Sequence, residues 1–284
     1  MSPETPIPMN YRHAYHAGNH TEMLKHAALV AVLEHLGRKE KPFFVLDTHA
    51  GIGGYDLGSE EAVKTGEATD GILRVARADP PAARAYLDLV RGFDPSGEMR
   101  FYPGSPEIVR RMLRPQDRLV ACELHPADVE TLRIAIRHDP RVAVHQRDGY
   151  EAIGAFVPPP ERRGLVFVDP PFEKRDEADR LGRILAKAVR KWPTGIYMAW
   201  YPLKDPDVPG RILAPLEAAG AAETLQVELA LRPLDGTLVG GGLVIVNPPY
   251  TLPAFLDALG PQLLAALGGA ERGAYRRAWI TPPR

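Results

Sequence analysis

Asp169-Pro170-Pro171-Phe172 sets an acid, a rigid turn and an aromatic plate directly behind the apolar run Gly164-Leu165-Val166-Phe167-Val168. A carboxylate and a proline carbonyl are acceptors only, and the prolines bring no N–H donors of their own to compete. Such a pair suits the two hydrogens of an –NH2 group, and Phe172 can stack on a planar ring. Together they describe a site for an exocyclic amine on a heterocycle. The plain alternative is a strand followed by a proline-rich turn. A second run of the same make-up, Asn247-Pro248-Pro249-Tyr250, lies near the end of the chain.

A second chemistry begins at Phe43-Phe44-Val45-Leu46-Asp47-Thr48-His49-Ala50-Gly51-Ile52-Gly53-Gly54, a buried strand running into a glycine-rich turn. Such a turn lets a nucleotide-like cofactor approach the backbone, and its partner is an acid at the end of the next strand that accepts from two ribose hydroxyls. That acid is Glu123, closing Leu119-Val120-Ala121-Cys122. It arrives much later than the roughly 20 residues of a plain βαβ unit. The excess between Tyr55 and about Tyr102 reads as an inserted helical subdomain, with Ala82 to Phe93 as one helix. Asp148-Gly149, after the strand Val142-Ala143-Val144, could accept from an adenine amine or simply close a turn.

Four consecutive apolar residues before Asp169 indicate a strand buried on both faces, as in a parallel sheet covered by helices. The carboxyl edge of such a sheet is where ligands bind. Asn19, with Glu22 three positions on, reads as an N-cap and capping box for a helix to about Leu36. Its apolar face uses Met23, Ala27, Val30 and Ala31, with Lys25 and His26 to the side. After Asp169, a helix from about Glu177 to Trp192 carries Arg180, Arg183, Lys187, Arg190 and Lys191 on one face, a candidate nucleic-acid contact. The cluster Arg110, Arg111 and Arg114 reads as a solvated face. Leu225 to Leu231 alternates as a half-exposed strand near an edge, and its short link to Leu243–Val246 suits an antiparallel pair. Position in the chain separates the two tetrapeptides: three strands follow Phe172, whereas the 34 residues after Tyr250 read as helix and tail. Asp169 is the catalytic candidate and Asn247 a structural one.

The whole chain bounds these readings. At 284 residues it holds one large α/β domain with a sizeable core. Lys+Arg 35 against Asp+Glu 36 leaves a formal charge of −1, so any nucleic-acid contact rests on local patches. The single cysteine, Cys122, forms no internal disulfide and suits a reducing cytoplasm. There is no signal-peptide core and no 18-residue apolar segment, so no membrane is expected. His13, His16, His20 and His26 invite a metal, but no cysteine accompanies them and a helix separates the last from the first. Polar lining of a cleft is expected instead, with no metal.

With these residues in view, the Asp-Pro-Pro-aromatic run matches the signature of amine methyltransferases. The chain resembles the bacterial 23S ribosomal RNA adenine-N(6) methyltransferase family that modifies adenine 2030, the J-type large-subunit ribosomal RNA methyltransferases. The likeness runs from about Tyr11 to Trp279. It rests on Tyr11–His20, Lys25-His26, Asp47-Thr48-His49-Ala50-Gly51, Pro103-Gly104-Ser105-Pro106, Glu123-Leu124-His125-Pro126, Asp148-Gly149 and Asp169-Pro170-Pro171-Phe172. The resemblance implies a Rossmann-like class I S-adenosylmethionine-dependent methyltransferase, α/β, with a seven-stranded mostly parallel sheet. Residues 1–10 would be a tail, 11–54 and 103–284 the methyltransferase domain, and 55–102 the inserted helical subdomain. It also implies S-adenosyl-L-methionine contacts from His26, His49, Ser105, Glu123, Asp148 and Gly149, catalysis by Asp169, and an RNA contact from Tyr11. The partner would be 23S ribosomal RNA and the compartment the cytoplasm; the sequence leaves the oligomeric state open, with a monomer favoured. His49 stands where general methyltransferase turns have their first glycine, as this family has it, and Phe172 replaces the commoner Tyr, keeping the ring but losing a hydroxyl. Rival readings are an amine methyltransferase for DNA adenine or protein glutamine, a nucleotide-linked dehydrogenase on the same glycine turn, and a non-catalytic RNA-binding module.

Overall fold

Apolar runs bounded by Gly or Pro become the strands of one sheet in the computed structural model, which describes residues 16–283. The first helix, α1 (His20–Gly37), is capped by Asn19, whose side chain accepts from the Thr21 backbone N–H at 2.9 Å. The strand β1 (Phe44–Asp47) follows, and then a segment that leaves the sheet. Its two ends meet in a small antiparallel ribbon, β2 (Gly54–Asp56) with β3 (Phe101–Pro103), pairing Tyr55 with Tyr102. Between them lie α2 (Glu60–Thr65), α3 (Glu67–Asp70), α4 (Ile72–Ala78) and α5 (Arg84–Arg91).

The chain then alternates: α6 (Ser105–Met112), β4 (Arg118–Glu123), α7 (Pro126–Ile136), β5 (Val142–Gln146), α8 (Gly149–Phe156), β6 (Gly164–Val168), α9 (Glu177–Lys191), β7 (Ile196–Leu203) and α10 (Val208–Ala218). It ends with β8 (Thr224–Ala230), β9 (Gly240–Val246), α11 (Leu252–Ala266) and β10 (Ala274–Thr281). The main sheet runs β10-β8-β9-β7-β6-β1-β4-β5. Strands β5, β4, β1, β6 and β7 are mutually parallel, so their carboxyl ends share one edge. The pairs β7·β9, β9·β8 and β8·β10 are antiparallel.

Alternate strand residues build two cores. Val45, Leu119, Leu165 and Phe167 face α1, α6, α7, α11 and the inserted helices. Leu46, Val120, Val166 and Val168 face α8, α9 and α10. This is the Rossmann-like class I methyltransferase architecture, with helices on both faces of a mostly parallel sheet.

Three sequence expectations need correction. The sheet has eight strands instead of seven, because Ala274–Thr281, read as tail, pairs with β8 from Ala274↔Ala230 to Thr281↔Thr224. As the outermost strand it shows an alternating exposed and half-covered pattern, which an apolar-run criterion overlooks. Second, α1 has no free side around Lys25 and His26: these residues are 3% and 1% exposed, because β9, α11, α6 and the insert close round the helix. Third, the Glu22 carboxylate reaches back to the Gly18 N–H at 2.6 Å and does not close a capping box on Asn19.

Candidate active site

The carboxyl ends of all five parallel strands border one cavity of about 360 Å³, a volume in the range of small-ligand sites. Its lining includes His26, His49, Ser105, Glu123, Asp148, Gly149, Asp169 and Phe172. Eight residues singled out in the sequence thus converge on one crevice. Tyr11 lies outside the described residues.

Asp169 stands one residue beyond β6 and is 13% exposed. Its Oδ2 accepts from Lys25 Nζ at 2.5 Å. Lys25 also lies 3.3 Å from Glu22 Oε1 and 5.4 Å from the centroid of the Trp200 ring. Burial alone would strip the Lys25 proton, but the two carboxylates outweigh it and hold its pKa above the ordinary lysine value. Asp169 therefore faces a charged ammonium, with one oxygen committed inward. Among the described residues, no backbone N–H bonds the carbonyls of Pro170 and Pro171. Phe172 sits at φ +50°, a conformation costly for a bulky residue, and its ring meets Trp200 edge-on with centroids 5.9 Å apart. The turn is set in place by covalent geometry and packing before any ligand arrives.

At the β1 end, Gly51 at φ +61° begins the turn. Its N–H donates to Glu123 Oε2 at 2.9 Å. Glu123 Oε1 accepts from the N–H groups of Leu124 and His125 at 2.7 and 2.9 Å. The carboxylate is thus a staple between two loops, with part of its acceptor capacity left over. Thr48 donates its hydroxyl to Phe167 O at 3.0 Å and so accepts from His49 Nδ1–H at 2.8 Å, which leaves Nε2 bare. Burial lowers the His49 pKa to about 4, keeping the ring neutral. One layer behind, Ser105 donates to Asp47 Oδ2 at 2.7 Å while Oδ1 is a buried acceptor without a hydrogen-bond partner. Burial raises Asp47 to about 7.

Asp148 caps α8, accepting from Tyr150 N and Glu151 N at 2.8 and 3.2 Å, and pairs with Arg180 at 3.0 Å. Partial burial would raise its pKa, yet the Arg180 guanidinium and these N–H groups pull it below the usual carboxylate range. Gly149 is obligatory on steric grounds: a Cβ there would lie 2.2 Å from the Thr48 carbonyl oxygen. His26 points its Nδ1 at Tyr102 Oη, 2.7 Å away, which in turn lies 2.8 Å from Tyr86 Oη. Of the other histidines weighed as a metal set, His13 is outside the described residues and His16 pairs with Glu67 at 3.0 Å.

The second tetrapeptide sits at the other edge. Because β9 runs antiparallel to β7, its carboxyl end meets the amino end of β7, where Asn247 Nδ2 donates to Pro193 O and Gly195 O at 2.8 and 2.7 Å. Tyr250 beyond it is 81% exposed. The basic face of α9 is partly spent on the protein itself: Arg180 holds Asp148, and Lys191 donates to Gly154 O at 2.9 Å. Arg110 and Arg111 both bind Glu107, and Arg114 binds Asp117. Sequence reading gave Glu22, Asp47 and Trp200 no part in the site, and it set Lys25 to the side of the helix's apolar face without a role. The available signal was Glu22, Lys25 and His26 close together in a helix whose other ionisable residues, His20, Glu34 and His35, stand at its ends.

The chain is similar to known proteins over most of its length. The family model described as Ribosomal RNA large subunit methyltransferase D, RlmJ, matches residues 40–281. Ribosomal RNA large subunit methyltransferase J of Escherichia coli is 40% identical over 96% of this chain and 99% of its own length. The protein of the same name from Haemophilus influenzae is 40% identical over the same shares of the two chains. A crystal structure of a Legionella pneumophila protein superposes with a TM-score of 0.86 at 33% identity, covering 93% of this chain and 98% of that one.

Proposed function

The chain belongs to the RlmJ family of ribosomal RNA large subunit methyltransferases, and from that premise we propose that it methylates the exocyclic N(6) amine of an adenine in 23S ribosomal RNA, adenine 2030 by resemblance, using S-adenosyl-L-methionine. The observation that carries the adenine reading is Asp169, fixed by Lys25, beside the Phe172 ring and two proline carbonyls that no backbone N–H of the described residues bonds.

The donor set suits the cofactor. Glu123 keeps acceptor capacity for ribose hydroxyls, and the bare Nε2 of a neutral His49 does not repel a cation. His26, Ser105, Asp148 and Gly149 border the same cavity. When bound, S-adenosylmethionine supplies an electrophilic methyl group on a sulfonium. The adenine amine lone pair is delocalised into the ring, so it must be held in line and allowed to pyramidalise. Asp169 Oδ1 and a proline carbonyl accept the two N–H groups where positive charge develops on nitrogen; the N–CH3 bond would form as the S–CH3 bond breaks with its electron pair left on sulfur, and the surplus N–H proton would then leave to solvent. Phe172 holds the ring plane after the base has left its stack. In this reading 55–102 is an insert in the methyltransferase domain, Tyr11 meets the RNA, and no metal takes part. No helix among the described residues is long and apolar enough to cross a membrane.

The test is methylation of 23S ribosomal RNA fragments, adenine-containing DNA and a glutamine peptide by wild type and Asp169→Ala. Transfer to RNA adenine should fall by roughly 100- to 1000-fold in the variant, with S-adenosylhomocysteine binding retained. Preferred labelling of DNA or peptide, or a fully active variant, would overturn the proposal.

A further inference from the structure

Glu22 has no part in the chemistry above, yet it is a buried carboxylate, 1% exposed, one turn of α1 from Lys25. Its Oε2 accepts from Gly18 N at 2.6 Å, and its Oε1 lies 3.3 Å from Lys25 Nζ and 3.7 Å from His26 Nε2. We propose that Glu22 is a positioning residue that keeps the Lys25 ammonium protonated and aimed at Asp169 Oδ2, so that Asp169 presents Oδ1 outward. The proposal rests on the reading of Asp169 as the group that grips the amine.

A lysine ammonium is a point charge with three donors on a flexible stem. At 3% exposure it has little access to water, so most of these directions must be filled by protein. Asp169 takes one direction and Glu22 a second, while the face of Trp200 covers a third. With Glu22 removed, a fully buried ammonium would rest on one carboxylate, and burial would favour the neutral amine. A neutral Lys25 leaves Asp169 unbalanced and free to turn.

The charge count points the same way. Asp169, Lys25 and Glu22 together carry one net negative charge. During methyl transfer a single positive charge passes from sulfur to nitrogen, so one surplus anion matches it at both ends of the step. Among the described residues, the other ionisable groups near this row stand behind it or are tied to partners of their own. His26 shares α1, with Tyr102 of β3 and Tyr86 of α5 behind it. Asp47 of β1 and the neutral His49 act on Asp169 from the sheet. Glu107 of α6 is tied to Arg110 and Arg111, Asp257 of α11 to Arg277, and Glu67 of α3 to His16. The adjoining strand β9 offers glycines and aliphatic residues, none ionisable.

The plain alternative is that Glu22 only closes the turn at Gly18. Glu22→Gln separates the two, since the amide oxygen can still accept from Gly18 while the charge is lost. Two measurements decide. In ligand-free protein with 13Cε-labelled lysine, Lys25 of wild type should remain protonated past the ordinary value of 10.5. In Glu22→Gln its titration midpoint should fall by about one pH unit or more. On a 23S ribosomal RNA fragment, kcat of the variant should drop about 10- to 100-fold, the loss typical of removing a partner that orients a functional group. Affinity for S-adenosylhomocysteine should stay within about twofold, the basic limb of the rate profile should move to lower pH, and Glu22→Asp should recover part of the loss. An unmoved Lys25 titration, or an unmoved kcat, overturns the inference even if the melting temperature falls. A wild-type protein that labels no adenine would sink the functional reading instead, and the ligand-free titration would still decide Glu22.

Discussion

Asp47 couples the crevice to pH. Its pKa in the fold is about 7 against an ordinary 3.8, with burial as the main cause. Folded protein therefore keeps this proton where unfolded chain has already lost it. The sign follows: stability from this group is complete below pH about 4 and is lost as pH rises toward 7, by at most about 1.4 kcal/mol for each pH unit crossed. Asp47→Asn should flatten that slope. Urea midpoints of wild type and variant at pH 5 and pH 8 check it, and parallel pH dependences would contradict it. Such residues differ in how plainly the sequence shows them. Asp169, Glu123 and Asp148 each end or follow an apolar strand, so chain position alone sends them to the carboxyl edge. Glu22 and Lys25 sit in a helix whose other residues are mostly apolar. A one-sided helical pattern puts both outside, and only the packing of β9, α11 and the insert brings them in.

Glu123 belongs to the scale of elements, since its carboxylate joins the turn after β1 to the loop after β4. Glu123→Ala should act in two ways at once. Ribose hydroxyls would lose a charged acceptor, worth about 1.5–3 kcal/mol per hydrogen bond, so S-adenosylhomocysteine should bind at least tenfold more weakly. The N–H groups of Gly51, Leu124 and His125 would also lose their acceptor, so the melting temperature should fall. Calorimetry paired with thermal denaturation tests both, and a lower melting point with unchanged affinity would make Glu123 a loop staple alone. The elements themselves were legible where burial on two faces imposes uninterrupted apolar runs, as in β1, β4, β6 and β9. The three-residue strands β2 and β3 carry no period to detect. The edge strand β10 mixes Arg276 and Arg277 with Tyr275 and Trp279, because only one of its sides meets the protein.

At the scale of the whole molecule, a formal charge of −1 and the internal use of arginine limit how RNA is held. Arg114 binds the carbonyls of Gly37, Lys39 and Lys41, and Arg163 those of Leu36 and Lys41. Near the crevice Lys174 and Lys204 are exposed and border the cavity. If these two lysines and the exposed Arg183, Lys187 and Arg190 of α9 make the phosphate contacts, the salt dependence of RNA binding should be shallow. With about three to five contacts, log K against log salt should slope between about −2 and −4. Fluorescence anisotropy across a potassium chloride series measures it, and a slope steeper than about −6 would require a basic surface beyond these residues. The two edges of the sheet are also unequal in what drift can make of them. At Asn247 a single change to Asp would spell the same Asp-Pro-Pro-aromatic pattern that follows β6, yet the new carboxylate would face the Pro193 and Gly195 carbonyls that the amide now satisfies. Selection can therefore reach the letters of a second active site at that edge only through a loss of stability, and the strand's direction denies it a crevice in return.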